Sequence, residues 1–333
     1  GSNDGALVLP LNNCDFTEYR PLLQLGMYVT RKQLFFGPGP WDEDLFWLYG
    51  DQAISRAGEA ESVEGIQETS QSSFPHGGIY LLRGADSKAI LRCTDFHSRP
   101  SHADQLHLDL WWHGVNIACD AGTYLYTGRD SWRNGLAHTA VHNTVTVDGQ
   151  DQMKMLTRFT WTNWSRGTVL QHDANTWRGE HDGYKRLADP VSHMRTVMSL
   201  DGDRWLVLDH LTGSQPHHYA LHWLLSDLPY EPGENSILLS PEPGQCKIQV
   251  GVLDGNSSFS IVRCDPTSPR GWRSQYYADK EPAISVLLET DRPRAVFWTL
   301  FGLASDSIHL AGNTLYISSG DWNARADLGA FEQ

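Results

Sequence analysis

The sequence predicts a mostly β protein, a large antiparallel β-sandwich preceded by a short helical segment. Three observations carry that prediction. From Gly78 onward, short β-type runs recur between turn signals. Thirteen Trp, twelve Tyr and eleven Phe suit the wide space between two packed sheets. A helical period appears only in the first fifty residues.

Residues 1–50 make the helical segment. In the stretch from Tyr19 to Val29, Leu22, Leu25 and Val29 fall on one helical face, with Leu23 and Met27 beside it. Pro21 suits the first turn. A second short helix fits Trp41 to Leu48, with Asp42, Glu43 and Asp44 at its N-terminal end, where the helix dipole favours carboxylates. A helical piece this short cannot bury both faces of its helices. It is expected to dock on the sandwich or to be the tail of a larger helical domain. Residues 51–75 are polar and read as a linker or a long crossing loop. Residues 76–333 form the sandwich, with β-type runs at Ile79–Leu82, Leu106–Val115, Val145–Val147, Trp205–Leu208 and Ala295–Trp298. Asp201-Gly202-Asp203 and Asp254-Gly255-Asn256 mark turns between them.

Bulk properties exclude several classes. With 40% hydrophobic and 20% charged residues the chain is globular, not disordered. No apolar stretch approaches the roughly 20 residues of a membrane-spanning helix. A formal net charge of −14 sets nucleic-acid binding aside. A polyanionic sugar needs a local cationic patch, and Arg129, Arg133, Lys154 and Arg158 supply candidates. The first five residues carry no signal-peptide pattern. Five cysteines, Cys14, Cys93, Cys119, Cys246 and Cys264, make no CxxC pair, and Cys93 and Cys119 sit in apolar strand patterns as buried small hydrophobes.

The densest chemistry lies between Arg99 and Gln152. Leu106, Leu108 and Leu110 alternate with His107, Asp109 and Trp111, the pattern of a half-buried strand. His102 and Asp104 stand at its entrance. A turn at His113-Gly114 returns the chain as a second strand and delivers Asp120 near the start of the first. His142 opens a third strand, Asn143 to Val147, and can join them. Two imidazoles and a carboxylate with an open fourth position suit Zn²⁺. His138, Asp104 or Asn143 can orient such ligands. The plainer alternative is a set of hydrogen-bonded structural histidines at strand ends. For His181 and Asp182, in the run Gly179-Glu180-His181-Asp182-Gly183-Tyr184, the pattern reads as a loop with exposed polar side chains. It either reaches the cleft or is a turn tied by Asp182.

Four ordered blocks resemble the heparinase II/III-type polysaccharide lyases. They are Ser101-His102-Ala103-Asp104-Gln105-Leu106, Asp120-Ala121-Gly122-Thr123-Tyr124, Ala140-Val141-His142-Asn143-Thr144-Val145, and Glu180 to Leu187. More loosely, Asn3 to Leu7 and Trp41 to Trp47 resemble the end of that family's helical domain. The resemblance implies an N-terminal α/α toroid joined to a C-terminal antiparallel β-sandwich, and β-elimination on uronate-containing polysaccharides such as glycosaminoglycan or alginate. It implies a divalent metal, most often Zn²⁺, on His102, Asp120 and His142, shaping the cleft wall and not activating water. Tyr126, with Tyr124 second, is then the candidate acid or base from this half. Arg129, Arg133 and His181 become candidate substrate contacts. Implied partners are an acidic polysaccharide and a toroid domain of the same or a partner chain; a homodimer is admitted, nucleic acid and membrane are not. The implied compartment is the periplasm or the exterior.

Two departures stand out. Some members carry a catalytic histidine two residues before the first metal histidine; here that position is Pro100, leaving the role to another group such as His97. The toroid that supplies the cleft's Asn, His and Tyr is also nearly all absent from these 333 residues, so little turnover is expected from the sandwich by itself. Two other functions compete: a non-catalytic carbohydrate-binding or scaffold module, and a hydrolase using a metal-bound water.

Overall fold

The computed structural model describes residues 11–55, 72–242 and 244–329. The chain divides into two compact units, Asp4–Gln71 and a larger one holding Ser72–Gln333.

The small unit is helical. Its first helix, Arg20–Arg31, carries Pro21 in its first turn and ends at Lys32 in the left-handed conformation. The residues it buries are Pro21 and Gln24. The Gln24 carboxamide accepts the N–H groups of Phe35 and Phe36 at 2.8 and 2.9 Å and donates to Asp42 at 2.6 Å. A polar side chain therefore organises the unit. Leu22, Leu23 and Val29 remain exposed among the described residues. A 3₁₀ turn over Pro40–Asp42 runs into the helix Glu43–Tyr49. A further short helix, Asp51–Ser55, occupies the start of the stretch that reads as linker. The rest of that linker to residue 71, and the blocks around Asn3 to Leu7, lie outside the described residues.

The large unit is the antiparallel β-sandwich that the sequence predicts. Its spine is two 23-residue strands, Arg204–Ser226 and Glu281–Leu303, paired antiparallel with one register shift between Thr212 and His217. On one side of this spine the sheet continues through Val115–Ala118, Leu108–Trp112, Ser87–Arg92 and Ile79–Arg83. On the other it continues through Cys246–Val252, Ser236–Leu239 and Tyr230–Gly233.

Alternation along the spine explains its unbroken apolar run. Trp205 and Val207 enter the main core with Leu82, Leu91, Leu110, Trp177 and Phe301. Leu206 and Leu208 enter a second core with Leu315, Ile317 and Leu328, beneath the three-stranded sheet of Ser307–Ala311, Thr314–Ser319 and Trp322–Asp327. A strand covered on both faces has no polar side to show.

The strand expected over Leu106–Val115 is shorter, Leu108–Trp112. Leu106 takes a left-handed backbone, φ 61°, which kinks the chain before the pairing begins. His142 does not open a strand either. It follows a 3₁₀ turn over Thr139–Val141, and the strand that follows, Val145–Val147, pairs with Arg204–Ser226 and not with the hairpin. All five cysteines are free, with Cys93, Cys119 and Cys246 buried. Among the described residues no helix is long and apolar enough to cross a membrane.

Candidate metal centre and its surroundings

The hairpin of Leu108–Trp112 and Val115–Ala118 pairs Leu110 with Ala118, which returns the chain so that Asp120 stands near His107. A second fastening draws in the loop of His142. Asn143 donates its side-chain amide to the carbonyls of Leu108 and Cys119 at 2.9 and 3.1 Å and accepts the Leu224 N–H at 2.6 Å. The His102 loop is tied to the same region: Ala103 N–H donates to Ala137 at 3.0 Å, Thr139 Oγ1 donates to Ala103 at 2.9 Å, and Thr144 Oγ1 donates to Gln105 at 3.0 Å.

These ties bring His102, Asp120 and His142 together, with one potential donor atom from each lying within 4.8 Å of the others. The imidazole rings of His102 and His142 are 5.2 Å apart. Asp120 Oδ2 lies 2.9 Å from His142 Nδ1, and Asp120 Oδ1 accepts the Gly122 N–H at 2.7 Å. His142 Nε2 is buried and has no hydrogen-bond partner among the described residues. The close pair His142 Nδ1 and Asp120 Oδ2 sets two potential ligand atoms side by side, as a shared metal requires. The donor chemistry, two nitrogens and a carboxylate oxygen, fits Zn²⁺. A tetrahedral ion with bonds of about 2.0–2.1 Å sets its ligand atoms about 3.4 Å apart, against 2.9 Å for His142 Nδ1 and Asp120 Oδ2 and up to 4.8 Å across the trio. Binding therefore has to even out the three separations.

Burial pushes the His102 imidazole down to about 4, with His142 adding to the effect. Burial alone would raise the Asp120 carboxyl, but the His142, His107 and His102 imidazoles hold it well below the usual carboxylate range. The centre thus sets a neutral His102 imidazole and an ionised Asp120 carboxylate beside His142.

A pocket of about 170 Å³ opens beside it, lined by Arg92, His102, Asp104, His107, Asp109 and Asp120 among others. Asp104 is occupied by Arg92 at 2.7 Å. His107 was not singled out by the sequence reading. Its Nδ1 accepts the Asn143 N–H at 3.0 Å, so its neutral tautomer carries the proton on Nε2. That Nε2 is buried and lies 3.5 Å from Asp120 Oδ2 and 3.6 Å from Asp109 Oδ2. His107 is consequently a donor facing the Asp120 carboxylate and has no free lone pair for a metal.

Below the centre runs a fully buried polar chain, also missed from sequence. Gly183 N–H donates to His181 Nδ1 at 3.1 Å, His181 Nε2 lies 3.1 Å from His193 Nδ1, and His193 Nε2 lies 2.8 Å from Asp209. One tautomer set satisfies every contact: both imidazoles neutral and both Nε2 atoms protonated. Burial holds His181 well below and His193 below the ordinary histidine value, which agrees. Arg195 pairs with both oxygens of Asp209, at 2.7 and 2.9 Å, and also donates to the carbonyls of Leu106, at 2.7 Å, and Asn143.

His181 is therefore corrected: it ends the strand Thr176–His181, is 2% exposed and is spent on His193 and Gly183. A substrate cannot reach it. Tyr124 and Tyr126 lie in the segment after Asp120. Tyr124 has a left-handed backbone, φ 59°, fixed by its N–H to Ser274 at 3.0 Å, and its ring meets Trp132 edge-on. The Tyr126 ring lies against Phe159 and Tyr277. Arg129 and Arg133 flank the exposed 3₁₀ turn Asp130–Trp132. His138 is held by Asp151 at 2.7 Å, away from any orienting contact with the trio. His97 is exposed in a loop.

Residues 66–299 match the family model described as Heparinase II/III-like, C-terminal. The chain belongs to that family. It is 29% identical over 225 residues to a heparin-sulfate lyase of Bacteroides stercoris, an alignment covering 63% of the chain and 31% of that relative. Against a heparin-sulfate lyase of Pedobacter heparinus it is 27% identical over 165 residues, covering 46% and 23%. Solved structures give the same fold: heparan sulfate lyase from Pedobacter heparinus, TM-score 0.64 at 18% identity over 94% of this chain and 49% of that one, and a heparinase III gene product, TM-score 0.64 at 18% identity over 86% and 46%. The chain spans less than half the length of each of these relatives.

Proposed function

We propose that this chain is the sandwich portion of a polysaccharide lyase that cleaves a uronate-containing polysaccharide by β-elimination, with His102, Asp120 and His142 holding a divalent metal, Zn²⁺ by donor type. The observation that carries the reading is the convergence of one donor atom each from His102, Asp120 and His142 within 4.8 Å, in a chain of this family. The metal, when bound, supplies a fixed positive charge that cross-links three loops of the cleft wall.

The rest falls to the chain's own residues. Arg129 and Arg133 neutralise the uronate carboxylate, which makes the C5 proton acidic. Tyr126, or Tyr124 on the neighbouring turn, exchanges a proton with the substrate. As the C5–H bond breaks, its electron pair forms the C4–C5 double bond, and the glycosidic oxygen departs with a proton. The second proton-transfer group comes from a helical toroid domain. Leu22, Leu23, Val29, Trp47 and Leu48 of the helical unit, large apolar side chains exposed among the described residues, support such a partner. The proposed compartment is the periplasm or the exterior, where polymeric substrate is met.

Two measurements test this. Elemental analysis should find one metal per chain, lost in Asp120→Ala and His142→Ala variants; no metal in the native chain refutes the centre. The protein including its helical domain should release products with the ultraviolet absorbance of an unsaturated uronate. Binding without such products favours a carbohydrate-binding module, and saturated products indicate hydrolysis.

A further inference from the structure

The residues after Asp120 lead into two adjoining clusters of aromatic and cationic side chains, in which the elimination chemistry uses only Tyr126 or Tyr124. In the first, Tyr126 lies 5.1 Å from Phe159 and 5.1 Å from Tyr277, centroid to centroid. Arg99 and Arg158 stand over the Phe159 ring, 5.4 and 5.5 Å from its centroid. In the second, Lys280 Nζ lies 3.6 Å from the ring centroids of both Trp132 and Trp272 and 5.5 Å from that of Tyr124.

The two clusters share one scaffold. Ser274 N–H donates to Ala121 at 2.8 Å and Ala278 N–H to Tyr124 at 2.9 Å, so the chain from Asp120 to Tyr126 runs beside that from Ser274 to Ala278. The first cluster is pinned from the other side as well. Arg99 donates to the Phe159 carbonyl at 3.1 Å, and Asn134 donates to the Arg158 carbonyl at 3.0 Å. Arg99, Arg158 and Phe159 are nevertheless exposed, Phe159 by 40%. On a chain with formal net charge −14, this is a local concentration of cations held on aromatic faces.

We infer that Arg99, Arg158, Phe159 and Tyr277, continued by Lys280, form a binding subsite for an acidic oligosaccharide that adjoins Tyr126 and holds the polymer along the sandwich. The pairing of residue types is the argument. A sugar ring presents an apolar C–H face that lies on an aromatic ring, and its carboxylate or sulfate accepts from a guanidinium at the ring's edge. Each arginine already rests on an aromatic ring, so its stem is ordered and less freedom is lost on binding. Lys280, flanked by two indoles and partly desolvated, has its ammonium pKa lowered by burial, and an anion beside it restores what desolvation removes.

This subsite rests on the acidic-polysaccharide reading above, but its test does not depend on turnover. The full chain is titrated calorimetrically with three size-matched oligosaccharides: a sulfated glycosaminoglycan fragment, a carboxylate-only oligouronate and a neutral glucan. The same titrations are run on Arg99→Ala/Arg158→Ala and on Phe159→Ala, with thermal melts confirming that the variants fold. The acidic ligands should bind with a salt-sensitive affinity, the neutral one at least tenfold more weakly, and each variant should lose at least tenfold in acidic-ligand affinity. If the oligouronate binds, the arginines read carboxylate; if only the sulfated fragment binds, they read sulfate. Both outcomes support the subsite. Equal binding of the neutral glucan, unchanged affinity in folded variants, or no binding at all overturns it. Elimination by the complete protein with binding unaffected by these substitutions removes the subsite alone; binding lost in the variants without any elimination removes the lyase reading alone.

Discussion

Replacing Arg195 by Met tests how the centre is held. Met keeps most of the apolar stem and removes the guanidinium. Asp209 then loses a bidentate partner and keeps only His193, while the carbonyls of Leu106 and Asn143 lose their donors. Arg195 and Asp209 are 0% and 1% exposed, so solvent cannot replace what is lost. Breaking a buried pair from one side costs about 3–5 kcal/mol. Two carbonyls left unsatisfied add about 1–3 kcal/mol each. A loss of about 5 kcal/mol or more is expected, a large share of the roughly 5–15 kcal/mol that holds a domain together. Urea denaturation followed by Trp fluorescence measures it. Asp209→Leu in the Arg195→Met background should recover part of the loss, because it removes the stranded charge. A cost for Arg195→Met below about 1 kcal/mol, or strict additivity in the double variant, would refute the reasoning.

Three other outcomes follow from the same geometry. Gly122→Ala should destabilise by several kcal/mol and abolish metal uptake in chelator competition, because a Cβ there would sit 1.9 Å from the Ser274 carbonyl oxygen, at a φ of 72°; a near-native melt would contradict this. His107→Phe should weaken metal affinity by about 10–100-fold by removing the donor that faces Asp120, with His107→Gln recovering part of it, both read by competition with a chromophoric chelator; equal affinities in all three proteins would remove His107 from the centre. Stability should fall with acid: His181 and His193 are held below the ordinary histidine value of 6.5, so the unfolded chain binds more protons, and their contribution is full above that value and lost as pH falls below it. Urea midpoints that stay constant from about pH 7.5 to about pH 5 would show that these imidazoles are not buried neutral.

The parts of this protein legible in its sequence are those set by local spacing. The turn at His113-Gly114 and the period of two around Leu108 and Leu110 are enough to return Asp120 to the mouth of the hairpin. The same alternation puts His107 and Asp109 on one face, which was the available signal for the donor facing Asp120. What remained hidden is long-range. His142 looked like the start of a strand because Asn143 to Val147 is β-type, but the Asn143 side chain is consumed in bonding Leu108, Cys119 and Leu224, which holds the segment out of the sheet until Val145. His181 looked exposed because polar neighbours surround it in the chain, while its partners, His193 and Asp209, are set by sheet register. Arg195 gave no local signal at all: its value lies in carbonyls 89 and 52 residues away.

The paired 23-residue strands also set an order of assembly during synthesis. The loops bearing His102, Asp120 and His142 leave the ribosome early, but the backbone that clamps them at Leu224 belongs to a strand whose own partner ends at Leu303. Until that partner emerges, Arg204–Ser226 presents an apolar edge without its central neighbour. Nascent chains of this protein are therefore expected to depend on chaperones and to acquire the centre last, as a post-translational event.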